Sequence, residues 1–465
     1  MISSRQGWTH LAWNLYWVLP AFTMVSFGCP GSPGEEESSA SESGETDSEG
    51  MTGEEECLPV PQPGLCRDAP LDLDAVAGGE GGFVIEAPIF DISPLGDVNG
   101  DGLGDFRLKD FVVFSEPEPD SVPLDPDVLK LRGFQVVSLL DGALKPSAAG
   151  DVNGDGLDDL MVSSPTGARS WIVFGKEDVN PVDLDEVSAG LGGYELAGAT
   201  SNAAARPLGD IDGDGLGDLA VVSENSTEVV VVSGKADGEP LALSDLTPLA
   251  TISLAARVDA GDLDDDGVVD LAYAEVTDDL PPKVGIISAP DGWTAQPRLH
   301  TSVSWSASPG SVPDSTGHFE IRDFNGDGKE DLLVTYAYYA SIANWAGRLF
   351  PGPLPLGEGA VGESDSWPAG SPFTEAALLD ASDEPGVEVV LANYDGVWAG
   401  RIAGFAPRLG TFSPEYCSAP WDLFLGSLKN VWLPIDDVDG DGREDLMIAD
   451  LTEELTIVAI DVCAN

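Results

Sequence analysis

An all-β fold assembled from repeated units is what this sequence predicts, and three observations carry the prediction. Gly and Pro are frequent, at 55 and 35 of 465 residues, which suits many short strands joined by tight turns rather than long helices. A nine-residue acidic pattern recurs six times, and a Gly-aromatic segment recurs between its copies. The hydrophobic share, 42%, is that of an ordinary globular chain, so the acidity does not imply disorder throughout.

Taken in chain order, residues 1–28 read as a secretory signal: Arg5 and His10 precede an apolar stretch from Leu11 to Phe27. A transmembrane anchor fits less well, because Asn14 and Pro20 interrupt a run already shorter than the roughly 20 apolar residues a span needs. No later segment is long and apolar enough to span a bilayer. Ser26-Phe27-Gly28-Cys29 resembles the lipobox of bacterial lipoproteins, with a small residue directly before the cysteine, although Phe27 departs from that pattern. Lipid attachment at Cys29 is therefore expected. Residues 29–66 form a tether, since from Gly31 to Glu56 the chain is nearly all Ser, Gly, Glu, Thr and Asp, with no Lys, Arg or aromatic to pack. Such a segment extends by self-repulsion. With Cys29 lipidated, Cys57, Cys66, Cys417 and Cys463 remain, an even number that favours two disulfides in an exported protein. Cys57 with Cys66 and Cys417 with Cys463 is the favoured pairing. Sequence alone allows the others, and Cys66 with Cys463 would clasp the two ends of the folded region.

From residue 67 to residue 465 the repeated pattern organises the chain. Its copies place Asp97, Asn99, Asp101 and Asp105, then Asp151, Asn153, Asp155 and Asp159, then Asp210, Asp212, Asp214 and Asp218 at positions one, three, five and nine. The later copies place Asp262, Asp264, Asp266 and Asp270, then Asp323, Asn325, Asp327 and Asp331, then Asp437, Asp439, Asp441 and Asp445. The starts are 54, 59, 52, 61 and 114 residues apart, so the last gap holds two units. A seventh, degenerate copy does lie inside it: from Asp380 to Glu388 the acids at positions one and nine persist, but the central Asp-Gly is lost.

Oxygen-bearing side chains at alternate positions, with Gly at position six to allow a sharp turn, put short ligand arms on one side of a curled backbone. That donor set suits Ca²⁺, which takes six to eight oxygens, better than the smaller octahedron of Mg²⁺. About six structural calcium sites are expected. An EF-hand is excluded, because it requires Glu at position twelve, where this chain has Leu108, Val162, Val221, Tyr273, Val334 and Ile448. The segments after the loops, such as Leu219-Ala220-Val221-Val222-Ser223, read as strands. The apolar residue at position two (Val98, Val152, Ile211, Leu263, Phe324, Val438) is expected to anchor each loop in the core.

Between the loops, Leu71 to Val76 leads to Gly82-Phe83-Val84-Ile85, Leu124 to Val128 leads to Gly133-Phe134-Gln135-Val136, and Val182 to Val187 leads to Gly193-Tyr194-Glu195-Leu196. Phe111 to Phe114, Trp171 to Gly175 and Val229 to Gly234 align as a further strand, giving about four strands per unit. The loops, the strand ending in Phe-Gly or Ser-Gly and the Gly-aromatic strand together resemble the FG-GAP repeats of integrin α-subunit propellers and their bacterial relatives. The Gly-Ala-Pro element is eroded, as at Ser163-Ser164-Pro165. The resemblance implies structural calcium sites. Seven units of about 57 residues suit a seven-bladed β-propeller with calcium-binding loops between strands of the blades. After Asp445 only enough chain remains for two strands, so Gly82 to Glu86 is expected to complete the last blade and close the ring.

The net charge of -61, from 82 acids against 21 Lys and Arg, rules out a nucleic-acid phosphate binder and leaves membrane contact to the lipid anchor alone. No GxSxG, HExxH or P-loop is present, and the three His are His10, His300 and His318. No catalytic constellation emerges. The reading is an exported, lipid-anchored, monomeric module of the cell envelope that binds an unknown protein or glycan, as in adhesion. The alternative is an exported polysaccharide lyase-like enzyme on the same scaffold, with Arg322, His318 and Tyr336 as the nearest candidates. Trp305, Tyr336, Tyr338, Tyr339, Trp345, Trp367, Trp398 and Trp421 crowd the later units, and any exposed on one face could stack on sugar rings.

Overall fold

The computed structural model describes residues 73–117, 121–123, 125–138, 144–164, 169–200, 206–223, 228–253, 255–275, 283–293, 299–303, 313–338, 345–356, 361, 367–369, 377–380, 386–393, 396–401, 432–450 and 455–459. All belong to the compact unit Cys57–Asn465. The signal, the tether and the five cysteines lie outside the described residues. Among those residues no helix is long and apolar enough to cross a membrane.

Each unit folds as an antiparallel meander whose first strand leads into the acidic loop. The first blade is Ile92–Gly96, Asp105–Leu108, Phe111–Val113 and Gly133–Val137; the second is Lys145–Gly150, Asp159–Ser163, Ser170–Val173 and Gly193–Ala197. The third runs from Arg206–Gly209 through Asp218–Ser223 and Glu228–Val232 to Ala250–Ser253, and the fourth from Ala255–Gly261 through Asp270–Glu275 and Val284–Ser288 to Leu299–Val303. The fifth is Pro313–Arg322, Asp331–Tyr338, Trp345–Phe350 and Trp367–Ala369. The closing blade takes three strands from the C-terminal end, Trp432–Ile435, Asp445–Asp450 and Leu455–Ala459. Its outer strand is Gly82–Ile85, with Gly82 opposite Ala459 and Ile85 opposite Thr456. The expected closure strand is therefore in place. Thr456 Oγ1 reinforces it by donating to the Ala87 carbonyl at 2.8 Å.

The blade count needs correction. Among the described residues six blades of four or five strands form, not seven. The degenerate unit gives a three-stranded sheet, Ala377–Leu379, Glu388–Asn393 and Gly396–Arg401. The sequence period counts units, whereas a blade needs four paired strands, and this unit supplies three among the described residues. It is also the unit whose loop has lost its central acid.

The core consists of apolar layers between consecutive blades, and the strands show why. In Glu228–Val232, Val229 and Val231 face the layer shared with the fourth blade, while Val230 and Val232 face the layer shared with the second. Side chains alternate across a strand, so a strand sandwiched between two sheets must be apolar on both faces. The same alternation seats Leu160, Val162 and Trp171 against the first blade and Met161 and Ile172 against the third. Phe83, Ile85, Met447 and Val458 share a layer with Phe106 and Leu108, which packs the closing blade on the first. Each such large side chain fully buried contributes roughly 1.5–3 kcal/mol.

Two details lie outside the expected strands. The lead-in segments Leu73–Ala77, Pro126–Leu129 and Leu184–Ser188 are one-turn helices, the latter two capped by Asp125 and Asp183, whose side chains each accept a backbone N–H at 2.9 Å. Short parallel pairings then cover the outer blade edges: Val136 with Val182, Leu196 with Leu241, and the bridges Ile85 with Val122 and Val303 with Val361. At these four edges, a segment of the following blade covers the open edge of the one before it.

Candidate metal centres and the inner-strand charge network

The six intact loops share one hydrogen-bond pattern. The first Asp accepts through Oδ1 the N–H of residue five, at 3.0–3.1 Å, and through Oδ2 that of residue six, at 2.7–2.9 Å. The carboxylate at position five accepts the N–H of residue seven, at 2.8–3.0 Å. The position-two anchors Val98, Val152, Ile211, Leu263, Phe324 and Val438 are all buried. The ninth Asp is fully or almost fully buried at the base of every loop, and in five of them its Oδ2 accepts the N–H of residue two, at 2.9–3.0 Å.

The ninth Asp also explains the Phe-Gly and Ser-Gly element. Oδ1 of Asp159, Asp218 and Asp331 accepts the N–H of Gly175, Gly234 and Gly352 at 2.8–2.9 Å. A Cβ on any of these glycines would run into neighbouring backbone, so the strand can approach the loop base only with Gly there.

In the three loops with Asp at position three, the carboxylates converge. One oxygen each of Asp210, Asp212 and Asp218, of Asp262, Asp264 and Asp270, and of Asp437, Asp439 and Asp445 lie within 4.8 Å of one another. The other three loops have Asn99, Asn153 and Asn325 there; the amides of Asn99 and Asn153 donate to the carboxylates of Asp101 and Asp155 at 2.9 Å. Like charges at such spacing repel by roughly 3 kcal/mol per pair at an effective dielectric near 20. Burial, then hydrogen bonds and neighbouring acids, set the ninth carboxyls: Asp105, Asp159 and Asp270 are pushed up to about 8, Asp445 to about 9, Asp331 to about 7 and Asp218 to about 6. Asp264 Oδ1 and Asp445 Oδ1 are buried with no hydrogen-bond partner. An all-oxygen cluster with orphaned buried carboxylate oxygens fits a hard cation. These acidic clusters can hold a metal ion.

Position eight carries a role that the motif reading missed. Its N–H donates to the first carbonyl of the preceding loop: Asp158 to Asp97 at 2.9 Å, Gly217 to Asp151 at 2.7 Å, Gly104 to Asp437 at 2.6 Å and Glu444 to Asp380 at 2.7 Å. Where position eight is acidic, its side chain returns the bond. Asp158 accepts the Asp97 N–H at 2.8 Å, Glu444 accepts that of Asp380 at 2.8 Å, and Glu330 accepts that of Asp262. Acids at Asp158, Glu330 and Glu444 but not in the other copies were the available signal.

A second network follows the inner strands. Arg206, Asp259 and Glu320 occupy equivalent rungs of three successive blades, each opposite the residue two beyond the ninth Asp: Ala220, Ala272 and Leu333. Asp259 accepts the Ile321 N–H at 2.8 Å and lies 3.6 Å from Arg206 Nη1. Arg322 reaches Glu320 at 3.4 Å and grips Glu444 through both terminal nitrogens at 3.1 Å. Of the lyase-type candidates, Arg322 is thus held by two acids. His318 lies at a register shift in Pro313–Arg322, and Tyr336 pairs across the ladder with Thr316 and Ala346. Tyr338, Trp345, Trp367 and Trp398 are placed on strands by their backbones, His300 is exposed opposite Ile287, and Trp305, Tyr339 and Trp421 lie outside the described residues.

Two repeat families match this chain: the FG-GAP-like repeat over residues 210–273 and the FG-GAP repeat over residues 147–179. Each match contains an acidic loop and the strand that follows it. The chain carries FG-GAP repeats on a β-propeller fold. A crystal structure of the rhamnogalacturonan lyase YesW shows 11% identity and a TM-score of 0.28 over 78% of this chain and 81% of that one, a likeness too loose to bear on the chemistry of the FG-GAP propeller.

Proposed function

We propose that this FG-GAP propeller is an exported, calcium-stabilised binding module of the cell surface that takes a protein or glycan ligand. The convergence of three carboxylates around orphaned buried oxygens, on a loop backbone repeated six times, carries the reading. Calcium would be held by the residues at positions one, three, five and nine, and it would neutralise the buried ninth carboxylate and tie each inner strand to its neighbour. Every acidic loop follows the first strand of its unit, so the loops gather on one face and leave a broad rigid surface for recognition. Lipid at Cys29 and the tether of residues 29–66 would hold that surface away from the membrane.

Calorimetric titration of the chelator-treated protein tests the metal reading. Uptake of about six calcium ions is expected, with a melting temperature lowered by EDTA; uptake of one ion or none would overturn it. For the binding role, glycan arrays and pull-downs run with calcium and with EDTA should give ligands only in calcium. Cys29→Ala should move the protein from the membrane fraction to the soluble fraction.

A further inference from the structure

Arg257, on the inner strand Ala255–Gly261, is a partly buried cation with no counter-ion. Among the described residues its guanidinium makes no hydrogen bond and no ion pair, in a chain where acids outnumber Lys and Arg by 82 to 21. The acid two residues along is already engaged, since Asp259 accepts the Ile321 N–H at 2.8 Å and faces Arg206 at 3.6 Å. Instead, a second cation stands beside Arg257. Arg206 reaches from the third blade to the carbonyl of Val258, the next residue along, at 3.2 Å and to that of Phe319 at 3.5 Å. All of these contacts use Nη1, which leaves Nε and Nη2 of Arg206 free, and 36% of that side chain is open to solvent. Burial, and then the charge of Arg206, push the Arg257 pKa down.

Two guanidinium groups, one half-buried with no ion pair among the described residues and the other with unused donors, share the single carboxylate of Asp259, so an anion can fill the remaining cationic capacity. Their planar forks suit bidentate binding of an oxyanion. We propose that Arg206 and Arg257 form an oxyanion site on the inner strands of the third and fourth blades, for a sulfate, phosphate or carboxylate group carried by the ligand. The site rests on the binding-module reading only for its use. It shares no residue with the metal loops.

The test is thermal denaturation and calorimetry of the full chain in about 1 mM calcium, the upper end of the affinity range of extracellular-type sites, with sodium sulfate, methyl phosphate or acetate against chloride at matched ionic strength and below the solubility limit of the calcium salt. Arg257→Gln is compared with the wild type and with Lys130→Gln, an exposed control on an outer helix. In chloride, Arg257→Gln should melt about 1–3 °C above the wild type, because it removes the uncompensated charge. Added oxyanion should then raise the wild type and Lys130→Gln in a saturable way and leave Arg257→Gln with at least a tenfold weaker response. The three anions separate a tetrahedral preference from a planar one. Equal responses in wild type and Arg257→Gln, or no gain for Arg257→Gln in chloride, would overturn the site. A wild type that takes up calcium but no anion removes this proposal alone, whereas an anion response without calcium uptake removes only the metal reading.

Discussion

At the scale of single residues, the ninth aspartates decide how the protein responds to pH and to metal. Asp105, Asp159 and Asp270 hold their protons up to about pH 8, and Asp445 to about 9, because burial penalises the ionised form before any neighbouring charge is counted. A carboxyl whose pKa is raised by folding stabilises the fold below its unfolded pKa, and that contribution is lost as pH rises through the folded pKa. Chelator-treated protein should therefore lose melting temperature steadily from about pH 4 to pH 8. With calcium the same scan should be nearly flat, because the cation replaces the proton. Asp270→Asn should separate the two states: more stable than wild type by about 1–3 kcal/mol in EDTA, less stable in calcium, as read by denaturation in each buffer. Asp265 offers a test of backbone strain. It sits at position four of its loop with φ 63°, where the other intact loops have Gly at φ 74–81°, and it pairs with Lys329 of the next loop. Left-handed backbone costs a side-chain-bearing residue about 1 kcal/mol, and an exposed ion pair returns at most about as much. Asp265→Gly should match the wild type to within about 1 kcal/mol and exceed Asp265→Ala by a similar amount in urea titrations.

At the scale of elements, the Gly-aromatic strand shows how a sequence signature records a steric requirement. A Cβ at Gly82, Gly133 or Gly193 would overlap the carbonyl oxygen of Val458, Val112 or Ile172 in the adjacent strand. Gly192, by contrast, has φ +69° and open space around its missing Cβ. Gly133→Ala should cost about 2–3 kcal/mol because backbone must move, and Gly192→Ala only about 1 kcal/mol, a difference that paired denaturation curves would resolve. This also indicates what was legible beforehand. Local requirements written as residue types, such as the loop spacing, the position-two anchors and the closing strand Gly82–Ile85, could be read because each constrains a few adjacent positions. The parallel ties between blades could not, since Val182 and Leu241 carry no mark of pairing with Val136 and Leu196. Nor could the unpaired state of Arg257, which depends on residues as far along the chain as Arg206 and Ile321. Counting units overstated the blades, because the period survives in the degenerate unit while only three of its strands form among the described residues.

At the scale of the whole molecule, the excess of 61 negative charges divides by location. Ten acids lie between Gly31 and Glu56, and 21 are Asp at positions one, three, five and nine of the intact loops. Six divalent cations would cancel twelve charges, so most of the acidity serves as solvated surface. In the degenerate unit, where the loop lost its central acid, the ring is joined differently. Glu444 of the closing blade accepts the Asp380 N–H and donates its own to the Asp380 carbonyl, while Arg322 of the fifth blade holds both oxygens of that same Glu444. An ion pair thus spans the unit that has no intact metal loop. Its partners are about a quarter exposed, at 25% for Arg322 and 29% for Glu444, so removing one leaves the other poorly compensated rather than well solvated. Arg322→Met should cost roughly 2 kcal/mol, and calcium should not restore it, because the degenerate loop has lost the central acid of the motif. An Asp266→Asn or Asp327→Asn loss, in contrast, should appear mainly when calcium is present, because the side-chain oxygen can still accept the N–H of residue seven. Melting curves of the three variants across a calcium titration check the contrast: an Arg322→Met deficit that closes as calcium rises would show that the degenerate unit still depends on metal.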